Sequence, residues 1–135
     1  MSRENVELVR RIYEQTARGH PEVIYETLDP DVVWDASASG MPEAGVYRGH
    51  DEVAAYRRRF WGAWETPRNE PEALIDAGES VVALVRMGGR GKGSGVEVEQ
   101  PFAMVWTLSA GKVTRVGLYR DRSEALEAAG LGEQP

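Results

Sequence analysis

The fold class is decided by residues 81–119, which read VVALVRMGGRGKGSGVEVEQPFAMVWTLSAGKVTRVGLY. Three runs in this stretch alternate apolar and polar residues with a period of two, which is typical of β-strands. These runs are Val81–Met87, Val96–Leu108 and Val113–Tyr119. The glycine-rich residues 88–95 and the turn at 109–111 separate the runs, so we expect a hairpin at each break. With Leu74-Ile75 as a further strand, the stretch predicts an antiparallel sheet.

The residues at the start of the chain repeat their apolar side chains at helical spacing instead. A first helix is predicted over about residues 3–18, and Gly19 is suited to end it in the left-handed conformation. Pro21 suits the first position of a short second helix, which includes Leu28 and ends at Asp29-Pro30. The two segments therefore predict a helical hairpin.

The middle of the chain combines one short strand with one amphipathic helix. Asp31–Asp35 carries β-branched and aromatic residues and predicts a strand, while residues 36–45 are small and predict a loop. A third helix is predicted after Gly49, and its apolar face comprises Val53, Tyr56, Phe60, Ala63 and Trp64. After the last strand, Asp121 or Ser123 caps a short helix that runs through Ala129. Helices followed by a strand meander indicate an α+β fold.

Composition limits the classes of protein that the chain can represent. Its 135 residues, 41% of them hydrophobic, predict one domain over residues 1–135. The formal charge of −6 would repel a phosphate backbone, so no nucleic-acid partner is predicted. No apolar run approaches the ~20 residues of a membrane span, and the N-terminal residues include acidic side chains and no apolar stretch typical of a signal peptide. We therefore expect no membrane partner and a cytoplasmic location.

Two motif types that carry chemistry in other proteins do not predict a site here. In the glycine-rich segment 88–95, Lys92 is followed by Gly93, whereas a phosphate-binding P-loop requires Ser or Thr at that place. His20 and His50 are the only histidines, neither has a second histidine at ligand spacing, and the chain has no cysteine. We predict a flexible hairpin tip and no metal site.

Two aspartates at strand ends have both a structural and a chemical interpretation. Asp35 alternates onto the same strand face as Val33, and if that face is the core, burial would raise its pKa toward that of a useful base. The alternative is an aspartate that caps the next turn. Asp121 stands three residues before Glu124, as in a capping box, but it also shares a strand face with Tyr119 and could lie at a cavity mouth.

The chain resembles the SnoaL-like branch of the nuclear-transport-factor-2-like superfamily over nearly its whole length. The stretches that carry the resemblance are Gly19, Leu28–Asp35, Tyr47–Val53, Ala110–Val113 and Tyr119–Leu126. The resemblance implies a cone-shaped, curved antiparallel sheet wrapped around three N-terminal helices, with an apolar pocket at the open end and a short C-terminal helix. It also implies a homodimer packed through the sheet, and the apolar side chains on both faces of the Val96–Leu108 strand favour such a partner.

The relatives imply a chemistry that needs no cofactor. In ketosteroid isomerase the base is an Asp in a stretch similar to Val33-Trp34-Asp35, and its oxyanion hole uses a tyrosine and a protonated aspartic acid. The positions that match these two partners are Ile12, with Tyr13 next to it, and Ala103. Polyketide cyclases of the SnoaL type need fewer protein groups, because delocalisation within the substrate stabilises the negative charge that forms when the proton is removed.

Two hypotheses of function therefore stay open. In the first, Asp35 is the general base of a cofactor-independent isomerase or cyclase that acts on a small hydrophobic carbonyl compound. In the second, the cone is a non-catalytic ligand-binding or dimerisation module and Asp35 is a turn residue. The residues expected to contact the ligand in either case are Tyr13, Tyr56, Phe60, Trp64, Tyr119 and Asp121. An Asp35 that points away from the pocket would favour the second hypothesis.

Overall fold

The computed structural model describes residues 2–131 and confirms the predicted α+β class. A six-stranded open sheet has the strand order β2-β1-β6-β5-β4-β3. The helices are α1 (Ser2–Ala17), α2 (Val23–Thr27), α3 (Gly49–Gly62) and α4 (Arg122–Ala128). The strands are β1 (Leu28–Ala38), β2 (Val46–Arg48), β3 (Trp64–Ala77), β4 (Ser80–Gly91), β5 (Glu97–Ser109) and β6 (Lys112–Tyr119).

Helix α1 lies close to its predicted limits because its apolar residues follow the helical period. Its buried side chains are Val9, Ile12 and Tyr13, which form a single face against the sheet. The helix ends before Gly19, whose φ of 89° is accessible to glycine at little cost. The outcome is the predicted helical hairpin with α2.

Strand β1 is longer at both ends than the predicted Asp31–Asp35. Leu28, which we predicted in the second helix, begins the strand and is fully buried. Part of the predicted loop, residues 36–38, belongs to the strand as well. Hydrogen bonding on both edges explains the extension, since β1 pairs with β2 on one side and with β6 on the other. The local sequence around Asp29-Pro30 carries no pattern that predicts β2 and β6 as the neighbours of this strand.

The prediction of a wholly antiparallel sheet was wrong for one pair of strands. Strand β1 runs parallel to β6, with Trp34 opposite Val116, whereas all other neighbours are antiparallel. Antiparallel neighbours can be joined by a short turn, but β1 and β6 are separated by the rest of the sheet and by α3. The direction of β1 is therefore set by this long crossover and not by any local pattern.

Strand β3 begins at a residue that we placed in helix three and is much longer than the predicted strand at Leu74-Ile75. Trp64, predicted on the helical stripe, is the first residue of β3 and pairs with Gly91. The strand contains Pro67 and Pro71, and its pairing with β4 shifts register near both. Because β3 is the edge of the sheet, a proline there need not leave a ladder hydrogen bond unmade.

The two faces of the sheet bury different sets of side chains. The concave inner face packs on α1 to α3 and forms the main core, which includes Trp34, Tyr56 and Trp106. The outer face carries a smaller cluster in which Ala103 and Val105 pack against α4. Helix α4 therefore accounts for apolar side chains that we had attributed to a dimer contact, and the homodimer stays a prediction. No helix within residues 2–131 has the length and apolar character needed to cross a membrane.

Candidate functional site

Asp35 lies on the outer face of the sheet, opposite to the face that we predicted. Along β1 the side chains of Val32, Trp34 and Ala36 are buried on the inner face, and Asp35 alternates away from them. The register agrees, because Asp35 stands opposite Gly117, which in turn stands opposite Val105 of the outer cluster. The alternation of side chains along β1 correctly predicted that Asp35 and Val33 share a face, but that face is not the one packed against the core.

The surroundings of Asp35 favour its ionised form. The Nη2 of Arg115 donates to Asp35 Oδ2 at 2.7 Å, and the backbone N–H and hydroxyl of Ser37 both donate to Oδ1. Partial burial raises the pKa of Asp35, but the Ser37 hydrogen bonds and the Arg115 guanidinium outweigh it and hold this pKa below its usual value. The predicted raised pKa was wrong, because the hydrogen bonds and the ion pair to the carboxylate outweigh its partial desolvation.

The concave side of the sheet encloses a different set of groups, which line what we call the inner cavity. Its aromatic walls come from α1, β1, α3 and β5: Tyr13, Trp34, Tyr56, Phe60, Trp61 and Trp106. The remaining walls are Ile12, Thr16, Ile24, Arg57, Asn69, Met87, Met104 and Leu118. The structure thus brings together three of the residues expected to contact a ligand: Tyr13, Tyr56 and Phe60.

The inner cavity is a narrow slot. Its volume, counted as the space that the centre of a water molecule can occupy, is about 50 Å³. That volume holds on the order of four water molecules when the walls stay in place. Sites for drug-sized ligands measure roughly 300–1,000 Å³. The inner cavity therefore has room for a group of about one ring and not for a drug-sized ligand.

The two tyrosine hydroxyls of the inner cavity are poor bases. Tyr13 accepts a hydrogen bond from Trp106 Nε1 at 3.1 Å and donates one to Met104 Sδ at 3.1 Å. Burial raises the pKa of Tyr13 well above its usual value. Burial, and then the neighbouring Tyr47, raises the pKa of Tyr56 to about 12. Both phenols are protonated near neutral pH and act as hydrogen-bonding groups, not as acceptors of a substrate proton.

Two other polar atoms of the cavity walls are buried and have no hydrogen-bond partner among residues 2–131. They are Trp34 Nε1, on a residue only 4% exposed, and Asn69 Oδ1. A buried donor or acceptor without a partner costs about 1–3 kcal/mol, and such atoms are rare in folded proteins. A donor and an acceptor of this kind at one cavity mark a place where a bound group would complete the hydrogen bonding.

Arg57 is the charged side chain among the walls, and sequence reasoning missed it. It follows Tyr56 on α3, and its Nη1 donates to Tyr25 Oη at 3.2 Å. Its guanidinium carbon lies 5.5 Å from the Tyr25 ring and 5.9 Å from the Trp34 ring. The signal in the sequence was its spacing, since Val53, Arg57 and Phe60 fall on one helical face.

Trp64, Tyr119 and Asp121 lie outside the inner cavity. Trp64 lines a second space of about 120 Å³, which we call the rim cavity, and Phe60 and Met87 line both spaces. Tyr119 packs against the outer cluster. Asp121 caps α4, where its carboxylate accepts from Ser123 N at 2.7 Å, so the structural interpretation of Asp121 is the one that the geometry supports.

The walls of the inner cavity, as far as residues 2–131 describe them, include no carboxylate and no imidazole. In the same part of the chain, no three acidic or histidine side chains cluster in a way that could hold a metal ion. The arrangement can place a small group against aromatic side chains, donate hydrogen bonds from Trp34 and Arg57, and accept one at Asn69.

Solved structures with the same fold come from several bacteria. An NTF2-like protein from Burkholderia thailandensis is 29% identical, with a TM-score of 0.79, and the match covers 97% of this chain and 98% of that one. An NTF2-like protein of unknown function from Burkholderia pseudomallei is 27% identical, with a TM-score of 0.75 and coverage of 91% and 95%.

More distant likeness shows the fold alone. A protein with a ketosteroid isomerase-like fold from Catenulispora acidiphila, solved in complex with trimethylamine, is 18% identical, with a TM-score of 0.72 and coverage of 96% and 98%. Comparison with curated proteins finds no match. The model of the SnoaL-like domain family matches residues 9–116. This match covers most of the chain and agrees with the cone-like α+β fold, so the chain belongs to the SnoaL-like domain family.

Proposed function

We propose that this protein binds a small planar carbonyl compound in the inner cavity and acts as a ligand-binding module. The observation that carries the proposal is the pair of unpartnered polar atoms, Trp34 Nε1 and Asn69 Oδ1, at one aromatic slot. Small-molecule sites are typically apolar concavities in which a few polar groups fix the orientation of the ligand. The inner cavity has this composition.

A ligand carbonyl fits the donor that the fold leaves unused. An oxygen that accepts from Trp34 Nε1 would remove the cost of leaving that N–H buried without a partner. The ring of the ligand would lie among Trp34, Tyr56 and Phe60, whose mutual geometry is tilted, with centroids 6.4 Å and 5.8 Å apart. Such offset aromatic contacts add about 0.5–1.5 kcal/mol beyond buried area.

The position of Asp35 argues for a binding module over a proton-abstracting enzyme. A general base must come within hydrogen-bond reach of the proton that it removes, and Asp35 is on the far side of the sheet from the slot, paired with Arg115. The described walls offer no other carboxylate, and the two phenols have raised pKa values. The cavity supports recognition of a carbonyl group without a side chain that would deprotonate it.

A titration with acetophenone tests the proposal at atomic resolution. The chain has four tryptophans, so an indole ¹H–¹⁵N spectrum contains four signals, and Trp34→Phe assigns the one from the cavity. We expect acetophenone to move that signal and to bind about threefold to tenfold more weakly to Trp34→Phe, since one hydrogen bond is lost. Phe60→Leu should weaken binding as well, whereas Tyr119→Phe on the outer face should not. A Trp34 signal that stays fixed at saturating acetophenone would overturn the proposal.

The same compound separates binding from catalysis. In D₂O, a protein base would accelerate exchange of the acetophenone methyl protons next to the carbonyl, with the base taking the proton and solvent returning a deuteron. We expect exchange at the rate of buffer alone. Acceleration that disappears in Asp35→Asn would instead support the isomerase or cyclase hypothesis.

A further inference from the structure

We propose that the ligand of the inner cavity is an anion, an aromatic carboxylate whose charged group binds Arg57. The inference rests on the proposed function and specifies the chemical class of the ligand. It comes from the placement of one guanidinium that the part of the chain described by the structure leaves without a countercharge.

Arg57 differs from the other arginines that the structure describes. Arginines with a carboxylate within 4.0 Å include Arg59, Arg86 and Arg115, each of which pairs with an acidic side chain at the surface. Arginines without such a partner are otherwise exposed to solvent: Arg3, Arg11, Arg18, Arg48, Arg58 and Arg120. Within residues 2–131, Arg57 alone is partly buried and has no carboxylate within ion-pair distance.

The contacts that Arg57 makes leave most of its hydrogen-bonding capacity unused. A guanidinium carries five N–H donors, and the described contacts use one of them, toward Tyr25 Oη. The Tyr25 and Trp34 rings offer it cation–π contact but no negative charge. A partly desolvated cation of this kind favours an anionic partner, and the planar fork of arginine matches the two oxygens of a carboxylate.

The rest of the slot determines what carries the carboxylate. Phe60 and Trp106 add aromatic surface to the walls of the cavity, and the ring of Trp34, whose Nε1 is the unpartnered donor, is centred 5.9 Å from the guanidinium carbon. An aliphatic diacid would bring a second charge into this apolar space, at a high desolvation cost. A single aromatic ring with one carboxylate matches the width, the walls and the charge of the site.

Benzoate and benzamide provide a matched pair of probes, because they share one ring and nearly one shape but differ in charge. We expect benzoate to bind the wild-type protein about tenfold to a hundredfold more tightly than benzamide, as measured by the shift of the Trp34 indole signal. Arg57→Gln should abolish this preference and Arg57→Lys should retain part of it, because lysine keeps the charge without the fork. Arg58→Gln removes the same charge from an exposed neighbour and should leave the preference unchanged.

The outcomes separate this inference from the proposed function. Equal affinity for benzoate and benzamide in the wild type overturns the anionic ligand and leaves the binding module standing. No movement of the Trp34 signal with either compound overturns both. The wild-type comparison does not depend on any variant, so it remains decisive even if Arg57→Gln proves too unstable to measure. Loss of the preference in Arg58→Gln would also overturn the assignment to Arg57.

Discussion

Replacing Tyr13 by Phe should destabilise the fold through one buried hydrogen bond. The hydroxyl of Tyr13 accepts from Trp106 Nε1 at 3.1 Å, and Trp106 is only 1% exposed. The variant keeps the ring of Tyr13 and its edge-on contact with the Trp106 ring, whose centroid is 5.7 Å away. What changes is that the indole N–H of Trp106 loses the partner that the fold provides.

The size of the effect follows from that unpaired donor. A buried N–H left without a partner costs about 1–3 kcal/mol, and the lost O–H contact to Met104 Sδ is a weak, second-order term. We expect a loss of about 2 kcal/mol in the free energy of unfolding. For a chain of this length each kcal/mol corresponds to roughly 3–4 °C, so the melting temperature should fall by about 7 °C.

Urea unfolding followed by far-ultraviolet circular dichroism measures this loss without relying on tryptophan fluorescence, which the substitution itself would alter. Tyr119→Phe is the matched control, because its hydroxyl makes no hydrogen bond within the described residues, and its free energy of unfolding should change by less than about 0.5 kcal/mol. The cycle with Trp106→Phe should show a coupling of about 1 kcal/mol. A loss for Tyr13→Phe no larger than that of the control, at an unchanged urea slope, would refute the reasoning.

Two further substitutions test features of the sheet. The pKa of Asp35 is lowered in the folded state, so its ionised form stabilises the fold above the unfolded pKa of about 3.9, and this contribution is lost as pH falls through the folded pKa. Asp35→Asn should therefore have a lower free energy of unfolding than the wild type at pH 7. The difference should vanish at a pH below the folded pKa, where Asp35 is protonated in both states. A difference that does not change with pH would contradict the role of the Arg115 pair. Gly88→Ala should cost about 1–3 kcal/mol or more, since its Cβ would lie 1.8 Å from Val98 O, whereas Gly62→Ala, with no atom within 4 Å, should be neutral or stabilising in thermal unfolding. Equal melting temperatures for the two alanine variants would contradict this prediction, because the backbone near Gly88 would then shift to accommodate the Cβ at no cost.

The sequence was informative where a pattern has one physical cause. The apolar runs after Val81 are long and β-branched, and they became β4, β5 and β6, although β4 continues four residues into the predicted glycine-rich break. The capping pattern at Asp121 depends on three neighbouring residues, and the structure shows the expected hydrogen bonds from Ser123 N and Glu124 N.

The candidate site was harder to predict because its geometry depends on distant pairing. Strand parity separates Val33 and Asp35 from Trp34, but both faces of β1 carry apolar side chains, so parity cannot identify the inner one. That choice is made by β6, which sets Trp34 opposite Val116 and so in line with Trp106. Arg57 was hidden for another reason, since an arginine on a helix is ordinarily a solvated residue.

The parallel pairing of β1 with β6 also has a consequence for the order in which the molecule assembles. The Arg115–Asp35 hydrogen bond spans 80 residues, whereas β4, β5 and β6 are joined by short hairpins. Local hairpins close quickly, and contacts between distant residues must first overcome the entropy of closing a long loop. The β4–β6 meander is therefore expected to form early, and β1 to dock on it late. Because Trp34 belongs to β1, the inner cavity and its unpartnered indole N–H form only in the last step of folding.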